Sequence, residues 1–169
     1  MSVQPCAPAP ALDLAPEAPA DAPLIEALLD RAFGPGRLAK SSERVREFAE
    51  SAPELSFCAW DAGRLAGVVR LWRVAVGGRP VLFLGPLAVD PDLQSGGVGR
   101  QLVERACEAA KASGEAGVLL VGDHPYFSQF GFDVAPGVVM PGPTDPRRVL
   151  YRAFAGEAPQ GPVAPRHAA

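Results

Sequence analysis

Apolar residues along this chain fall into two rhythms that meet near position 95. From Val98 they recur at Leu102, Ala106 and Ala109, with Val103, Cys107 and Ala110 beside them. Spacing of three and four residues predicts an amphipathic helix, and Gly114 supplies a left-handed stop. Just upstream, Val81 to Val89 is apolar and β-prone apart from Gly85-Pro86, and predicts a buried strand. The segment between them is rich in glycine, so a strand runs through a Gly-rich turn directly into a helix.

The same pattern lays out the rest of the chain. Ala11 to Ala15 predicts a first strand. Asp21 is an N-cap candidate, with Pro23 in the first turn, for a helix through Leu24, Leu28, Leu29, Ala32 and Phe33 that Gly34-Pro35-Gly36 ends. A second helix begins near Ser41 or Ser42, turns Val45, Phe48 and Ala49 inward, and stops by Pro53. Leu55 to Trp60 and Leu65 to Val76 read as strands joined by the hairpin turn Asp61-Ala62-Gly63-Arg64, and Gly77-Gly78-Arg79-Pro80 turns into the strand before the glycines. Val118 to Val121, short and wholly apolar, predicts a strand lying parallel to Val81–Val89 through the helical crossover.

Pro125 opens a short helix that Gly131 ends, and Phe132 begins another strand. Residues 135–147 hold four prolines and read as a loop, Val149 to Phe154 is the last strand, and residues 1–10 and 156–169 are expected to be flexible ends. The elements imply an α+β (mixed α/β) fold in one domain over residues 11–155, with helices on the faces of a mixed sheet.

Length and composition agree with one domain: 169 residues, 48% of them hydrophobic. A net charge of −3 with no basic run argues against a phosphate-backbone binder, so no nucleic-acid partner is expected, and an acidic surface suits a cationic amine slightly better than an anion. The three cysteines Cys6, Cys58 and Cys107 and the histidines His124 and His167 show no metal-ligand spacing, and the odd cysteine count argues against a disulfide framework. The expectations are no metal, a reducing cytoplasmic location, no signal peptide and no membrane partner, since no apolar run approaches the ~18 residues of a span.

The chemistry concentrates at the strand–turn–helix junction. The first helical turn leaves backbone N–H groups unpaired at the positive end of the helix dipole, and glycines let a ligand's oxygens reach them. Gln94, Ser95, Gly96, Gly97, Val98 and Gly99 thus form a candidate phosphate or pyrophosphate cradle, with Arg100 as a charged donor from the side. A P-loop would need Gly-Lys-Ser/Thr after its last glycine, but Arg100-Gln101 follows Gly99. A dinucleotide fingerprint would need a third glycine where Leu102 stands. The pattern Gln/Arg-x-x-Gly-x-Gly/Ala at such a junction is met in full by Gln94 to Gly99.

In these residues the chain resembles the GCN5-related N-acetyltransferases (GNAT). Phe130-Gly131-Phe132 resembles their second signature, and Gly122-Asp123-His124-Pro125-Tyr126-Phe127-Ser128-Gln129-Phe130-Gly131-Phe132 resembles that of a small bacterial subgroup. The resemblance implies a mostly antiparallel sheet whose central parallel strands splay apart, with acetyl-CoA as co-substrate. Its pyrophosphate would sit on the segment from Gln94 to Arg100 and its pantetheine arm along Leu87, Ala88 and Val89, where a bulge frees a backbone N–H for the thioester carbonyl; Gly85-Pro86 fits such an interruption. The activity implied is transfer of an acetyl group to a primary amine of a small molecule or peptide, by direct attack in a ternary complex. Homodimers are common among members.

One departure stands out. Members often carry a tyrosine four residues before the Gly of the Gly-Phe pair, as proton donor to the departing thiolate; here that position is Phe127. Tyr126, Ser128 and His124 are the neighbouring donors, and Asp123 is a candidate proton acceptor whose other reading is capping the short helix. Because of Phe127, an acyl-CoA-binding sensor on the same fold stands as a second reading, and a longer acyl donor as a third. No histidine partners Cys58 or Cys107, so an acyl-enzyme on cysteine has no support. By resemblance the acceptor lies between Gly34–Lys40 and Val134–Arg147, where Arg37, Lys40, Arg147 and Arg148 are candidate contacts for an acidic group.

Overall fold

A computed structural model describes residues 12–34 and 41–166, the side chains of Ser41, Ser42, Gln94 and Ser95 excepted. The expected flexible residues 1–10, and Arg37 and Lys40, lie outside them.

Strand β1 (Asp13–Pro16) leads into helix α1 (Ala22–Phe33), then helix α2 (Ser41–Phe48) and the two-residue strand β2 (Glu50–Ser51). Strands β3 (Phe57–Asp61), β4 (Arg64–Val76) and β5 (Arg79–Val89) form two consecutive antiparallel hairpins. After β5 a 3-10 turn over Pro91–Gly96 enters helix α3 (Val98–Ala112), which crosses back to β6 (Gly117–Val121). Helix α4 (His124–Phe127), strands β7 (Asp133–Val134) and β8 (Val138–Val139), β9 (Val149–Ala153) and β10 (Gly161–Pro165) complete the chain. The sheet runs β1-β3-β4-β5-β6-β9-β7, with β10 pairing β4 and β8, and β2 pairing β4.

Side-chain alternation explains the layers. Phe57, Ala59, Val69, Leu82, Leu84, Val118 and Leu120 face α3, whose Val98, Leu102, Val103, Ala106, Cys107 and Ala110 fill that side of the core. The opposite face takes Ile25, Leu28 and Leu29 of α1 onto Cys58, Val68 and Ala88, and Val45 of α2 beside Phe83 and Leu119. Burying one such leucine contributes about 1.5–3 kcal/mol, so the helices are held chiefly by these stripes.

Two details of the sheet matter for function. In the β4–β5 pairing, Val69 faces Leu87 while Leu71 faces Leu84, so β5 carries one extra residue at Gly85-Pro86. That bulge is why Phe83 and Ala88, an odd number of residues apart, share a face. It lies just upstream of the expected Leu87–Val89, whose residues pair regularly with Val69, Val68 and Gly67. The carbonyl of Gly85 accepts the indole N–H of Trp72 at 2.6 Å. On its other side, β5 runs parallel to β6 only at Leu82–Val118 and Phe83–Leu119. Beyond Phe83 the two strands diverge, while β6 continues paired to β9 as far as Val121–Val149.

Three expectations change. Residues 156–169 are not loose throughout: Gly161–Pro165 form β10, antiparallel to Val74–Val76, and Arg166 locks it by donating to the carbonyls of Val74 and Val81 and to Glu115. Asp21 occupies the N-cap position of α1 as expected, but its side chain makes no cap bond: its carboxylate accepts the Ala18 N–H at 2.9 Å, closing the preceding turn. Residues 135–147 contain the short strand β8, parallel to β10.

Candidate active site

The start of α3 is fixed from below by a buried acid. Asp90, last before the 3-10 turn, is 1% exposed. Its carboxylate accepts the Asp92 N–H at 3.0 Å and the guanidinium groups of Arg64 at 2.8 Å and Arg31 at 3.4 Å. Its own backbone N–H donates to Ala66 and its carbonyl accepts the Leu93 N–H, both at 2.8 Å. The Asp92 N–H, and next the Arg64 guanidinium, hold its carboxyl below the ordinary 3.8. β5, the turn and the end of α1 are thereby tied at one point.

Above that anchor, Gly97 takes the left-handed conformation (φ 74°) that lets the chain swing into the helix without a Cβ penalty. A groove of about 430 Å³ opens there, between Leu87, Ala88 and Val89 of β5, Gly97, Gly99 and Arg100 of the helix start, and Phe33 and Tyr126. A Cβ on Gly99 would stand 3.2 Å from the Tyr126 hydroxyl and 3.4 Å from Val89, narrowing the groove between them. Arg100, beside them, pairs with Glu104 at 3.1 Å on the exposed side. The donor set of amide N–H groups, a helix N-terminus and an arginine fits a diphosphate.

A second cavity of about 590 Å³ shares Phe33 and Leu87 with the groove. It occupies the space where β5 and β6 part. Its walls are apolar at Leu29, Phe33, Leu84, Leu87, Leu120 and Phe127, and charged where Glu43 and Arg46 of α2, Asp123, Asp145 and Arg148 reach in. Glu43 and Arg46 form an ion pair across one helical turn, with side chains only 16% and 11% exposed. Asp123 and Arg148 pair at 3.5 Å at the more open end. Asp145 is bound by the Arg147 guanidinium and backbone N–H, which hold its carboxyl below the usual carboxylate range.

Of the residues expected from sequence, Leu87, Ala88, Val89, Gly97, Gly99 and Arg100 come together in the groove. Gly96 and Val98 flank them in chain, Val98 with its side chain buried against the sheet. The backbone of Gln94 and Ser95 lies in the turn. Tyr126 faces the groove, whereas Phe127 lines the cavity, its ring covering Gly122 where a Cβ would lie 2.5 Å away. Burial pushes the Tyr126 phenol up, Arg100 pulling weakly the other way, so it keeps its proton at neutral pH. Asp123 lines the cavity and does not cap α4 with its side chain; its backbone carbonyl accepts the Tyr126 and Phe127 N–H groups instead. Ser128 is exposed, lines neither space, and donates its hydroxyl to the Pro125 carbonyl. His124 lies 3.7 Å from Asp133, and Arg147 reaches the site only through Asp145.

Sequence reasoning missed Glu43 and Arg46. The signal that could have found them was a pair of opposite charges three apart on a helix otherwise noted for its apolar face, next to the loop that the resemblance gave to the acceptor. Among the described residues no cluster of His, Cys, Asp or Glu could hold a metal ion, and no helix is long and apolar enough to cross a membrane.

A glycine-started helix behind a bulged strand, opening on a wedge between parallel strands, defines a class. Residues 23–132 match the model of the acetyltransferase (GNAT) family. The chain belongs to that family, and with it to the acetyl-CoA-dependent acyltransferases. Among curated relatives it is 37% identical over 122 residues to the uncharacterized N-acetyltransferase YhbS of Escherichia coli (strain K12), covering 70% of this chain and 72% of that one. It is 31% identical over 121 residues to the uncharacterized N-acetyltransferase YjhQ of the same strain, covering 69% and 67%. The crystal structure of Escherichia coli YhbS in complex with CoA superposes with a TM-score of 0.77 at 30% identity, over 97% of this chain and 94% of that one. A GNAT family acetyltransferase from Brucella melitensis in complex with acetyl-CoA gives 0.72 at 25% identity, over 94% and 97%.

Proposed function

We propose that this enzyme passes the acetyl group of acetyl-CoA to a primary amine of a small molecule or peptide, by direct attack within a ternary complex. One observation carries the reading: the groove at the start of α3 and the cavity between β5 and β6 meet at Phe33 and Leu87, so a chain entering along one delivers its end into the other. The complexes of YhbS with CoA and of the Brucella protein with acetyl-CoA support acetyl-CoA as the donor.

In this reading the amides of Gly97 to Arg100 hold the diphosphate, and Leu87, Ala88 and Val89 flank the pantetheine. CoA supplies the activated thioester. The wedge beyond Phe83 keeps the β5 edge from pairing with β6, leaving it to face the thioester carbonyl. Tyr126, protonated at neutral pH and facing the groove, is the proton donor to the leaving thiolate; Ser128, turned outward, is not. The carboxylates around the cavity attract a cationic amine. With Cys58 and Cys107 buried, neither supports an acyl-enzyme.

Phe127, which brings no hydroxyl to the cavity, favours the second reading, an acyl-CoA sensor without turnover. Thiol release from acetyl-CoA with butylamine, spermidine, lysine and a short peptide separates the two. Amine-dependent release supports the enzyme; CoA binding with no release on any of them supports the sensor. Tyr126→Phe is expected to lower kcat about 10²-fold with the KM for acetyl-CoA little changed, and an unchanged kcat removes Tyr126 from the chemistry.

A further inference from the structure

An alkyl amine reaches the enzyme as an ammonium ion and must lose a proton before its nitrogen can attack. Three carboxylates line the cavity where that nitrogen would sit. Asp145 is committed: the Arg147 side chain and backbone N–H occupy both of its oxygens. Asp123 is 69% exposed at the open end, paired with a half-exposed Arg148. Glu43 differs from both. Its side chain is 16% exposed, and Arg46, 11% exposed, holds its Oε1 from the next turn of α2.

The position of that pair is what selects it. Arg46 Nη1 lies 3.2 Å from where a Cβ on Gly85 would stand, so the guanidinium packs against the bulge at which β5 leaves β6. Glu43, which lines the cavity, is therefore tethered one guanidinium away from the bulge at the mouth of the wedge. Resting on the acetyl-transfer reading above, we propose that Glu43 is the catalytic base that takes the proton from the acceptor ammonium, with Arg46 positioning its carboxylate at the bulge. One N–H bond of the ammonium breaks toward Glu43, the freed lone pair forms the C–N bond at the thioester carbonyl, and the C–S bond breaks to a thiolate that takes the Tyr126 proton. The nitrogen's second proton, shed as the amide forms, passes through solvent to the Tyr126 phenolate, and solvent removes the proton from Glu43. Asp123 remains a recognition group at the entrance.

Two small amines test this without knowledge of the natural acceptor. Ethylamine is protonated at neutral pH and needs a base; trifluoroethylamine is largely neutral there and does not. Saturating each, Glu43→Gln is expected to lower kcat with ethylamine by about 10²-fold or more while leaving trifluoroethylamine within about threefold. Asp123→Asn should raise the KM for ethylamine with kcat nearly kept. CoA titration and a thermal melt on each variant establish that the fold is retained, and Glu43→Asp should recover part of the ethylamine rate. Equal losses with both amines, or no loss with either, overturn the assignment. Wild-type protein that binds CoA but releases no thiol with either amine overturns the acetyl-transfer reading instead, and the base assignment with it.

Discussion

Asp90 offers a test of how the turn before α3 is held, at a residue that does not line the groove. Its carboxylate is 2% exposed and accepts one backbone N–H and two guanidinium groups. Losing the N–H bond that starts the 3-10 turn costs about 0.5–2 kcal/mol by analogy with helix caps. The arginines contribute less, because Arg64 and Arg31 are 55% and 52% exposed and solvent screens such pairs. Asp90→Ala is therefore expected to destabilise by about 2 kcal/mol, a fall in melting temperature of roughly 4–8 °C for a chain of this size. Asp90→Asn, which keeps an acceptor for the Asp92 N–H but gives up the charge, should cost about 1 kcal/mol. The pH dependence fixes the cause. The folded-state carboxyl lies below its ordinary 3.8, so its contribution is present above that value and is lost as pH falls through the lowered one. Denaturant melts of wild type and Asp90→Asn should therefore differ at neutral pH and converge on acidification below about pH 4. Equal stability at neutral pH, or a gap that persists unchanged into acid, would refute the anchoring role.

Other perturbations probe neighbouring steps. Gly67→Ala places a Cβ 2.8 Å from Val98 and 3.0 Å from the Ala88 carbonyl, so it should push α3 off the sheet, costing about 1–3 kcal/mol and weakening CoA binding in calorimetric titration. Unchanged affinity and stability would mean that the helix start tolerates displacement. Burial first, and then the nearby Asp21 and Glu17, push the Cys58 thiol up to about 12, so it should resist iodoacetamide in the folded protein at pH 8 and react only on unfolding. Alkylation of Cys58 at the rate of a free thiol would contradict the packing of β3 beneath α1.

The sequence carried the centre of this fold better than its margins, for physical reasons. Local periodicity suffices for α3, α1 and the β3–β4–β5 hairpins, because each buries a stripe written in consecutive residues. The glycines at 97 and 99 are local as well, and they led to the groove. β10 was not legible: Gly161-Pro162-Val163-Ala164-Pro165 has the composition of a loose tail, and only pairing with Val74–Val76 and the reach of Arg166 make it a strand. β2 and β8, two residues each, are likewise products of their partners. In the site, adjacency in sequence does not say where the side chains of Asp123 and Ser128 go. Asp123 sits where a cap would, yet it is the backbone carbonyl that accepts the helix amides. Ser128 follows Phe127 of the cavity wall, yet turns its hydroxyl back to the Pro125 carbonyl. Glu43 and Arg46 join the site only because α2 folds over the β5 bulge, a contact between Arg46 and Gly85 that no local pattern encodes.

Everything proposed for the site depends on where the phosphates of CoA lie relative to the first turn of α3. A crystal structure of this protein with CoA measures that directly. The expected result is diphosphate oxygens within hydrogen-bonding distance, about 3.2 Å or less, of backbone N–H groups between Gly97 and Arg100, with the sulfur between β5 and β6 near Leu87. Phosphates bound away from that turn, or β5 and β6 paired without a gap past Phe83, would contradict it.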